Sequence, residues 1–396
     1  MKKDKNIISL DNMKGFTKTQ GFDAIKAALM AIIMGLVFGF IVMLLANPGQ
    51  AGKGISAILI GGMGRIPDVF YYATPILMTG LAVAFAYKMG MFNIGASGQF
   101  TMGMFFAMYV GFMFDLPPVL HCFAAVLAGM IGGMLWGFIP GFFKAYLNVN
   151  EVITSIMFNY IGMYLVDMMV QNNGAMYVAS KTRTAYLPDS VQLPSLGIQG
   201  SNVNVGIIFA ILIAVLAYIV LYKTTFGYEL RATGFNKFGA VYAGMNSKRN
   251  IVLTMVIAGA MAGLGGAFTI LAPSSIAGSS MTYEPVNIIA NEGFDGIAVA
   301  LLGSANPIGT IFAALFIAFI KCGGTLASLY GFKPEIIDVV IAIIIYFSAF
   351  AMIMNVIFKE KLSKLFKRKK ATEEKTSEGE ASPGDVSPAD NEGGAV

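Results

Sequence analysis

The sequence is poor in the residues that carry covalent chemistry. Histidine occurs once, as His121, and the two cysteines, Cys122 and Cys322, lie far apart in separate apolar runs. One histidine and two distant cysteines cannot form a cysteine–histidine zinc site or a disulfide framework, and His121 has no partner for a catalytic triad. We expect His121 to be a helix-end residue, because it follows Pro117 and Pro118. An enzyme is therefore disfavoured.

The chain also lacks a nucleotide-binding signature. No Gly-x-x-x-x-Gly-Lys-Ser/Thr segment occurs in it, so it cradles no nucleotide phosphates in a P-loop of its own. We therefore expect no cofactor bound by this chain, and an ATP-driven process would need ATP on a separate ATPase. A nucleic-acid partner is not expected either, because the basic residues suit positions beside a lipid bilayer better than a nucleic-acid groove.

Charged residues make up only 12% of the chain, hydrophobic residues make up 56%, and the mean hydropathy is +0.70. A composition this far from that of soluble domains predicts an all-α polytopic membrane protein. We expect about ten transmembrane helices, since ten apolar runs approach the length of about 20 residues that a spanning helix needs. Eight are possible if the third and eighth runs, which polar residues interrupt, do not span. The runs are Ala27–Ala46, Asp68–Lys88, Gly98–Phe114, Val119–Phe143, Glu151–Asn173, Gly206–Tyr222, Asn250–Leu271, Val286–Gly303, Asn306–Gly324 and Glu335–Ile357.

An even number of helices puts both termini on one side, and a cytoplasmic placement keeps most of the 27 Lys and Arg inside. This arrangement predicts a cytoplasmic segment 1–26, a transmembrane domain 27–357 and a cytoplasmic tail 358–396. The tail is first basic, which suits anionic lipid, and then acidic and disordered. Residues 174–204 form the longest outer loop, a surface for an extracellular partner. The segment Ala51–Gly64 is too short to span.

A basic loop at 223–249 separates two apolar runs and is expected on the cytoplasmic side. Asn236 can cap a short helix in this loop, Gly244 suits its left-handed end, and Gly234 is expected to be a hinge after a turn at 229–233. Two interpretations remain open from the loop alone: an interfacial helix on the bilayer, or a docking element for another protein. One face of the helix carries Phe235, Phe238, Tyr242 and Met245.

Polar clusters interrupt the apolar runs at two places. The first contains Asn93, Ser97 and Gln99 among glycines, and its backbone either unwinds toward a polar cavity or forms an ordinary tight turn. The second contains Glu292 and Asp295 inside a candidate span. Two acids at membrane depth are costly unless they face a polar pathway or find partners. The alternative is a helix that begins later, with Asp295 as its N-cap.

A third cluster lies at the start of the fifth run. Asn150 can cap a helix whose first turn carries Glu151, and Asn159 lies on the same helix face as Glu151. That face either lines a pore or packs against a neighbouring helix through polar contacts. Asp167 and Asp338 are lone acids in apolar runs without a basic neighbour in sequence, so we expect interhelical hydrogen bonding or a helix-end position for them.

Four motifs occur in order between about Asp68 and Ile357. They are Asn93-Ile-Gly-Ala-Ser-Gly-Gln99, Asn148-Val-Asn-Glu-Val-Ile-Thr154 with Met157-Phe-Asn-Tyr160, Leu230-Arg-Ala-Thr-Gly234 with Ala243-Gly-Met245, and Gly293-Phe-Asp-Gly-Ile-Ala-Val-Ala-Leu-Leu-Gly303 with Asn306-Pro-Ile-Gly309. Together they resemble the permease subunits of ABC importers for branched-chain amino acids, ribose and nucleosides, most closely the larger, guanosine-type nucleoside permease. Ser97 departs from the pattern, because many relatives have an acid there.

The resemblance implies a permease of the plasma membrane with three kinds of protein partner. These are cytoplasmic ABC ATPases, a second permease subunit that is expected to be a different chain, and an extracellular substrate-binding lipoprotein. Loop 223–249 would be the coupling loop for the ATPase, through Glu229, Arg231, Gly234, Phe235, Phe238 and Gly244. The polar pathway for the solute would be lined by Asn93, Ser97, Gln99, Asn159 and Asp295.

The predicted function is ATP-driven import of a small polar solute, most closely a nucleoside, whose many hydrogen-bonding groups suit amides and hydroxyls. One alternative is an ABC importer permease for ribose or branched-chain amino acids. Another is an ion-coupled secondary transporter, which would use intramembrane carboxylates such as Asp167 or Asp295.

Overall fold

The computed structural model describes residues 20–198, 200–276 and 278–347. The predictions for residues 1–19 and 348–396 lie outside the described residues. The compact unit Ala28–Ala349 contains the elements discussed below, apart from residues 20–27 at the start of the first helix. It is helical, and the one sheet found in the described ranges is a two-stranded antiparallel ribbon.

The α-helices of the described ranges follow one another with short connections, except at two longer loops. In chain order they are α1 (Gln20–Ala46), α2 (Ala51–Gly64), α3 (Ile66–Lys88), α4 (Ala96–Met113), α5 (Pro118–Leu147), α6 (Glu151–Gln171), α7 (Gly206–Lys223), α8 (Thr225–Phe235), α9 (Lys237–Tyr242), α10 (Ser247–Ile270), α11 (Asn291–Leu302), α12 (Pro307–Ala327) and α13 (334–347). The ribbon pairs β1 (Tyr177–Val178) with β2 (Arg183–Thr184), and 3-10 turns occur at Ala179–Lys181, Asp189–Val191 and Ser328–Tyr330.

Six helices of the described ranges are long and apolar enough to cross a membrane: α3, α5, α6, α7, α10 and α12 with the turn after it. Helix α4 has 18 residues, but Ser97 and Gln99 in its first turn reduce its hydropathy. The 14 residues of α2 make a helix of about 21 Å, which confirms that Ala51–Gly64 is too short to span a hydrocarbon layer of about 30 Å.

Helix α11 corrects the expectation of a continuous helix over Val286–Gly303. It has 12 residues and begins at Asn291, so it is about 18 Å long and covers only part of the membrane thickness. The residues before it are not helical, because Pro285 lacks a backbone donor and Asn287 has a left-handed φ of 58°. A helix of partial length, entered by irregular backbone, therefore replaces the predicted eighth span.

Helices α5 and α10 cross at backbone contact. A Cβ added to Gly133 would lie 2.7 Å from the Cα of Gly263, and one added to Gly259 would lie 3.0 Å from the carbonyl carbon of Gly133. Gly103 of α4 meets Gly263 in the same way, since its Cβ would lie 2.7 Å from the Gly263 carbonyl carbon. Small residues at these positions let the three helices pack without intervening side chains.

The loops lie at two ends separated by helix α7, whose 18 residues span about 27 Å. One end, called here the hairpin end, contains the ribbon loop 174–204 and the loop 271–290. Hydrogen bonds tie these two loops together, from Leu193 N to Leu271 O at 2.8 Å and from Thr184 N to Tyr283 O at 2.9 Å. The other end, called the short-helix end, contains α8 and α9.

Candidate functional site

The connection between α3 and α4 is a buried, irregular break at residues 89–95. Gly90 starts it with a left-handed φ of 74°. Asn93 and Gln99 close on each other by two hydrogen bonds: Asn93 Nδ2 donates to Gln99 Oε1 at 2.9 Å, and Gln99 Nε2 donates to Asn93 Oδ1 at 3.1 Å. Both side chains are buried, so this pairing satisfies amides that would be costly to leave alone. The break is thus an unwound segment inside the protein as well as a turn.

Asn159 of α6 ties the same break to its neighbouring helix. Its Oδ1 accepts from Gly98 N at 2.8 Å, and its Nδ2 donates to Ile94 O at 3.0 Å. Asn150 caps the start of α6, as predicted, by accepting from Val152 N at 2.8 Å. The structure therefore brings Asn159 together with the Asn93–Gln99 pair, and in this conformation the three amides hold the break in place.

Two serine hydroxyls beside the break are buried without a hydrogen-bond partner, those of Ser97 and Ser155. Ser97 faces the start of α11, because a Cβ added to Gly293 would lie 2.6 Å from the Ser97 Cα. Ser155 lies across from Gly95, whose added Cβ would come within 3.3 Å of the Ser155 Oγ. These hydroxyls are unused hydrogen-bonding groups at the point where α4, α6 and α11 converge.

The N-terminus of α11 lies about half-way along α3. Thr79, near the middle of α3, donates from its Oγ1 to Glu292 O at 2.7 Å. The residue that precedes α11 is Ala290, in extended conformation and without a side-chain cap. Asp295 therefore lies in the second turn of the helix, and its predicted alternative role as the N-cap is wrong.

Asp295 forms an ion pair with Lys321 of α12, whose Nζ lies 2.5 Å from Asp295 Oδ2. The side chains are 16% and 24% exposed. This cation is the partner that an acid in a candidate span requires. Sequence reasoning missed Lys321, and the available signal was that it interrupts the apolar run of α12 and needs a counter-charge itself. Thr79 gave no signal in the sequence.

At the short-helix end, two helices replace the predicted turn and helix. The predicted turn at 229–233 belongs to the eleven-residue helix α8, which Thr224 caps by accepting from Gly227 N at 3.1 Å. Asn236 caps α9 by accepting from Gly239 N at 2.9 Å, and Gly244 follows α9 with a left-handed φ of 82°. The predicted cap and left-handed end residue are confirmed.

Gly234 is not a hinge between these helices. It lies inside α8, and the chain changes direction at Asn236, which has an extended φ of −151°. Gly234 instead packs on the buried break, because a Cβ there would lie 2.7 Å from the Cα of Met89. The absence of a side chain lets α8 touch the start of the 89–95 segment directly.

The aromatic residues of this end project away from the rest of the described chain. The exposed fractions are 95% for Phe235, 86% for Phe238 and 96% for Tyr242. Met245 is half-buried in a cleft of about 410 Å³ between α8 and the start of α10. The prediction that these four residues share one helix face is wrong, because Phe235 ends α8 and Met245 follows α9. The three aromatic residues are nevertheless available for contact with another molecule.

The charged residues of the short-helix end make contacts within the chain. Glu229 pairs with Arg249, whose Nη2 lies 3.2 Å from Glu229 Oε2. The guanidinium of Arg231 lies over the ring of Tyr222, 5.0 Å from its centroid. These contacts join α8 to α10 and to α7, respectively.

Two further titratable residues of the sequence analysis, Asp167 and His121, have local structural partners. Asp167, in the last turns of α6, accepts hydrogen bonds from the Tyr283 hydroxyl and from Asn287 N. The partners lie in a loop, and not on another helix as the expected interhelical bonding requires. Burial and the Asp167 carboxylate raise the pKa of Tyr283, in loop 271–290, above its ordinary value, so the phenol remains a donor. His121 lies in the first turn of α5 with Nδ1 2.9 Å from Ser190 Oγ. Within the described ranges, no His, Cys, Asp or Glu group is arranged for a metal ion.

Comparison with known proteins identifies the family of the chain. Residues 65–349 match the family described as the permease component of branched-chain amino acid transport systems. The chain belongs to this family. It is therefore the permease subunit of an ABC importer, a transport component rather than an enzyme, and a multi-pass membrane protein. Membership favours this function over an ion-coupled carrier.

Individual relatives cover most of the chain. The guanosine ABC transporter permease NupP of Bacillus subtilis is 39% identical over 81% of this chain and 92% of its own length. The nucleoside ABC transporter permease NupB of Lactococcus lactis is 36% identical over 88% of this chain and 96% of its own length. The guanosine ABC transporter permease NupQ of B. subtilis is 26% identical over 69% of this chain and 86% of its own length. No solved structure matches the chain.

Proposed function

We propose that this permease imports nucleosides. The observation that carries the proposal is the near full-length similarity to two proteins named as guanosine and nucleoside permeases, at 39% and 36% identity. The chemistry of the break is compatible with it. A nucleoside is neutral and rich in hydrogen-bonding groups, so amides and hydroxyls can bind it without the desolvation of a fixed charge.

The proposed pathway passes the convergence of α4, α6 and α11 and includes Asn93, Ser97, Gln99, Asn159 and Asp295. In the described conformation the side-chain amides of Asn93 and Gln99 bind each other, and the Asn159 amide binds the backbone beside them. Gly293 packs against Ser97 and covers its hydroxyl. Movement of α11 away from α4 would uncover the Ser97 hydroxyl, which has no partner to lose. Opening of the pathway is therefore a change in the α11–α4 contact, with no covalent step.

The proposed topology has about ten membrane crossings, of which α11 together with the segment before it makes one, and both termini lie in the cytoplasm of a plasma-membrane protein. The short-helix end then faces the cytoplasm, as its basic residues favour, and the hairpin end faces outward, where a substrate-binding lipoprotein delivers the solute. A second permease chain completes the pore. The existence of two guanosine permeases, NupP and NupQ, in B. subtilis supports a different chain as that second subunit.

Helices α8 and α9 are the proposed docking element for a cytoplasmic ABC ATPase, on which ATP is bound. Phe235 and Phe238 are almost fully exposed and supply apolar anchors for a cleft on the ATPase. Gly234 transmits movement of α8 to the break because the two are in backbone contact. Glu229 and Arg231 help to orient α8 through their contacts with Arg249 and Tyr222. Gly244 ends α9 with its left-handed backbone.

The substrate is tested by reconstitution of the chain with its partner ATPase, second permease and binding protein in proteoliposomes. We expect ATP-dependent uptake of radiolabelled guanosine that unlabelled adenosine or uridine reduces and that ribose and leucine leave unchanged. Uptake of ribose or leucine without uptake of any nucleoside would refute the nucleoside assignment while leaving the family membership intact.

The pathway is tested by Ser97→Ala, which removes a hydroxyl that makes no hydrogen bond in the described conformation. We expect normal amounts of folded chain and a several-fold rise in the half-saturating nucleoside concentration. The combined variant Asn93→Ala, Asn159→Ala and Asp295→Ala should abolish uptake. If uptake survives in that combined variant, the pathway residues are wrongly assigned. Asn47→Ala, outside the polar clusters, is the matched control.

A further inference from the structure

The backbone that leads into α11 is held by a carboxylate that the proposed pathway does not use. Asp167, on α6, is 3% exposed. Its Oδ1 accepts from the Tyr283 hydroxyl at 2.6 Å and its Oδ2 accepts from Asn287 N at 2.7 Å. Both carboxylate oxygens therefore bind the segment 283–290, which leads into α11. Oδ1 binds its first residue, and Oδ2 binds a residue near its middle.

Packing holds the segment that leads into α11 only in part. Pro285 is buried and Ala290 packs against the core, but Val286 and Ile288 between them are 48% and 70% exposed. Asn287 has a left-handed φ of 58°, a conformation that does not continue into a right-handed helix. One turn along α6 from Asp167, Gln171 Nε2 donates to Pro285 O at 3.1 Å. Polar contacts with α6 thus hold a non-helical segment whose middle residues are exposed.

Tyr283 joins this segment to the ribbon of the hairpin end. Tyr283 N donates to Thr184 Oγ1 at 3.0 Å, and Thr184 N donates to Tyr283 O at 2.9 Å. Thr184 belongs to β2 and is buried. A displacement of the ribbon therefore moves Tyr283, and Tyr283 reaches Asp167 through its hydroxyl. The segment then runs from Asn287 directly into α11 at Asn291.

We propose that Asp167 and Tyr283 are positioning residues that set where α11 begins and that couple the ribbon loop to the solute pathway. The inference rests on the proposed pathway, because α11 carries Asp295 and covers Ser97. It assigns the hairpin end a mechanical role: a binding protein that displaces the ribbon acts on α11 through Tyr283 and Asp167. Neither residue contacts the solute.

Two variants test this proposal on the full chain in lipid nanodiscs. Tyr283→Phe removes one donor from Asp167, and Asp167→Asn replaces one acceptor oxygen by a donor group. We expect amide hydrogen exchange over residues 284–292 to accelerate at least several-fold in each variant, and the double variant to show no more than the larger single effect. Tyr164→Phe, an exposed tyrosine on the same helix, should leave this exchange unchanged.

A second measurement separates positioning from a merely structural contribution. In ATP-driven uptake, Tyr283→Phe should lower the maximal rate several-fold and leave the half-saturating solute concentration unchanged. Unchanged exchange over 284–292 in both variants would overturn the proposal, and so would a rise in half-saturating concentration at an unchanged maximal rate. Hydrogen exchange needs no solute or partner. An absence of nucleoside uptake would therefore count against the proposed function and leave the exchange result to decide this inference.

Discussion

At the scale of single residues, the ion pair between Asp295 and Lys321 limits which substitutions α11 and α12 accept without loss of stability. Each charge is only partly accessible, with exposed fractions of 16% and 24%. Removal of one member leaves the other charge uncompensated in a poorly solvated environment, which typically costs about 3 kcal/mol or more. Removal of both members leaves no such charge, so the two residues are energetically dependent on each other.

Lys321→Met is therefore expected to destabilise the protein more than the double variant Lys321→Met with Asp295→Asn. The measurement is the thermal unfolding temperature of purified chain in detergent, followed by tryptophan fluorescence. Lys333→Met, which removes an exposed lysine just before α13, is the control and should leave the unfolding temperature nearly unchanged. Equal unfolding temperatures for the single and double variants would contradict the dependence.

At the scale of elements, local chemistry decided which parts of the fold were predictable. Asn150 and Asn236 were identified as helix caps because a cap needs only a side chain and a backbone donor two or three residues later. The start of α11 was misplaced, since its apolar run continues through Ile288, whereas Pro285 and contacts with α6, such as that of Asn287 N with Asp167, keep that backbone out of a helix. Lys321 was missed because its partner is on another helix.

The exposed aromatic face of α8 and α9 leads to a prediction about energy coupling. Combined substitution of Phe235, Phe238 and Tyr242 by alanine should abolish ATP-driven uptake, because these side chains are the proposed anchors for the ATPase. Since they are 86% exposed or more, their loss should leave the amount and the unfolding temperature of the permease unchanged.

The measurement compares uptake with ATP hydrolysis in proteoliposomes that contain all partners, and co-purification reports whether the ATPase still binds. Phe312→Ala, which removes an aromatic residue that is 70% exposed on α12, serves as the matched control. Full ATP-driven uptake by the triple variant would remove the coupling assignment.

At the scale of the whole molecule, the two loop-rich ends have different compositions and contacts. The short-helix end is basic and carries exposed aromatic side chains, whereas the hairpin end is a network of backbone hydrogen bonds between two loops. The positions of most apolar helices could be predicted from the sequence, because apolar runs of membrane-spanning length are a strong signal. The pairing of loops 174–204 and 271–290 was not, since it depends on how the helices between them pack.

The orientation of these ends is open to direct measurement. We expect a cysteine at Tyr242 to react with a membrane-impermeant maleimide only from the cytoplasmic side, and a cysteine at Leu196 to react only from outside. Both positions are exposed, so access depends on the side of the membrane and not on burial. Intact cells and inverted vesicles supply the two sides, and the unsubstituted chain gives the background from Cys122 and Cys322. Labelling of both sites from the same side would contradict the topology.

The glycine contacts of α5 and α10 also divide the protein into fixed and movable parts. Because Gly133, Gly259 and Gly263 place backbone on backbone, neither helix can turn without separating many atoms at once or driving side chains into the other main chain. We therefore expect helices α4, α5 and α10 to keep one arrangement throughout a transport cycle. We expect the cycle's changes in shape to involve elements outside this frame, among them α11, which has only 12 residues and packs on α3 and α4 through Gly296 and Gly293.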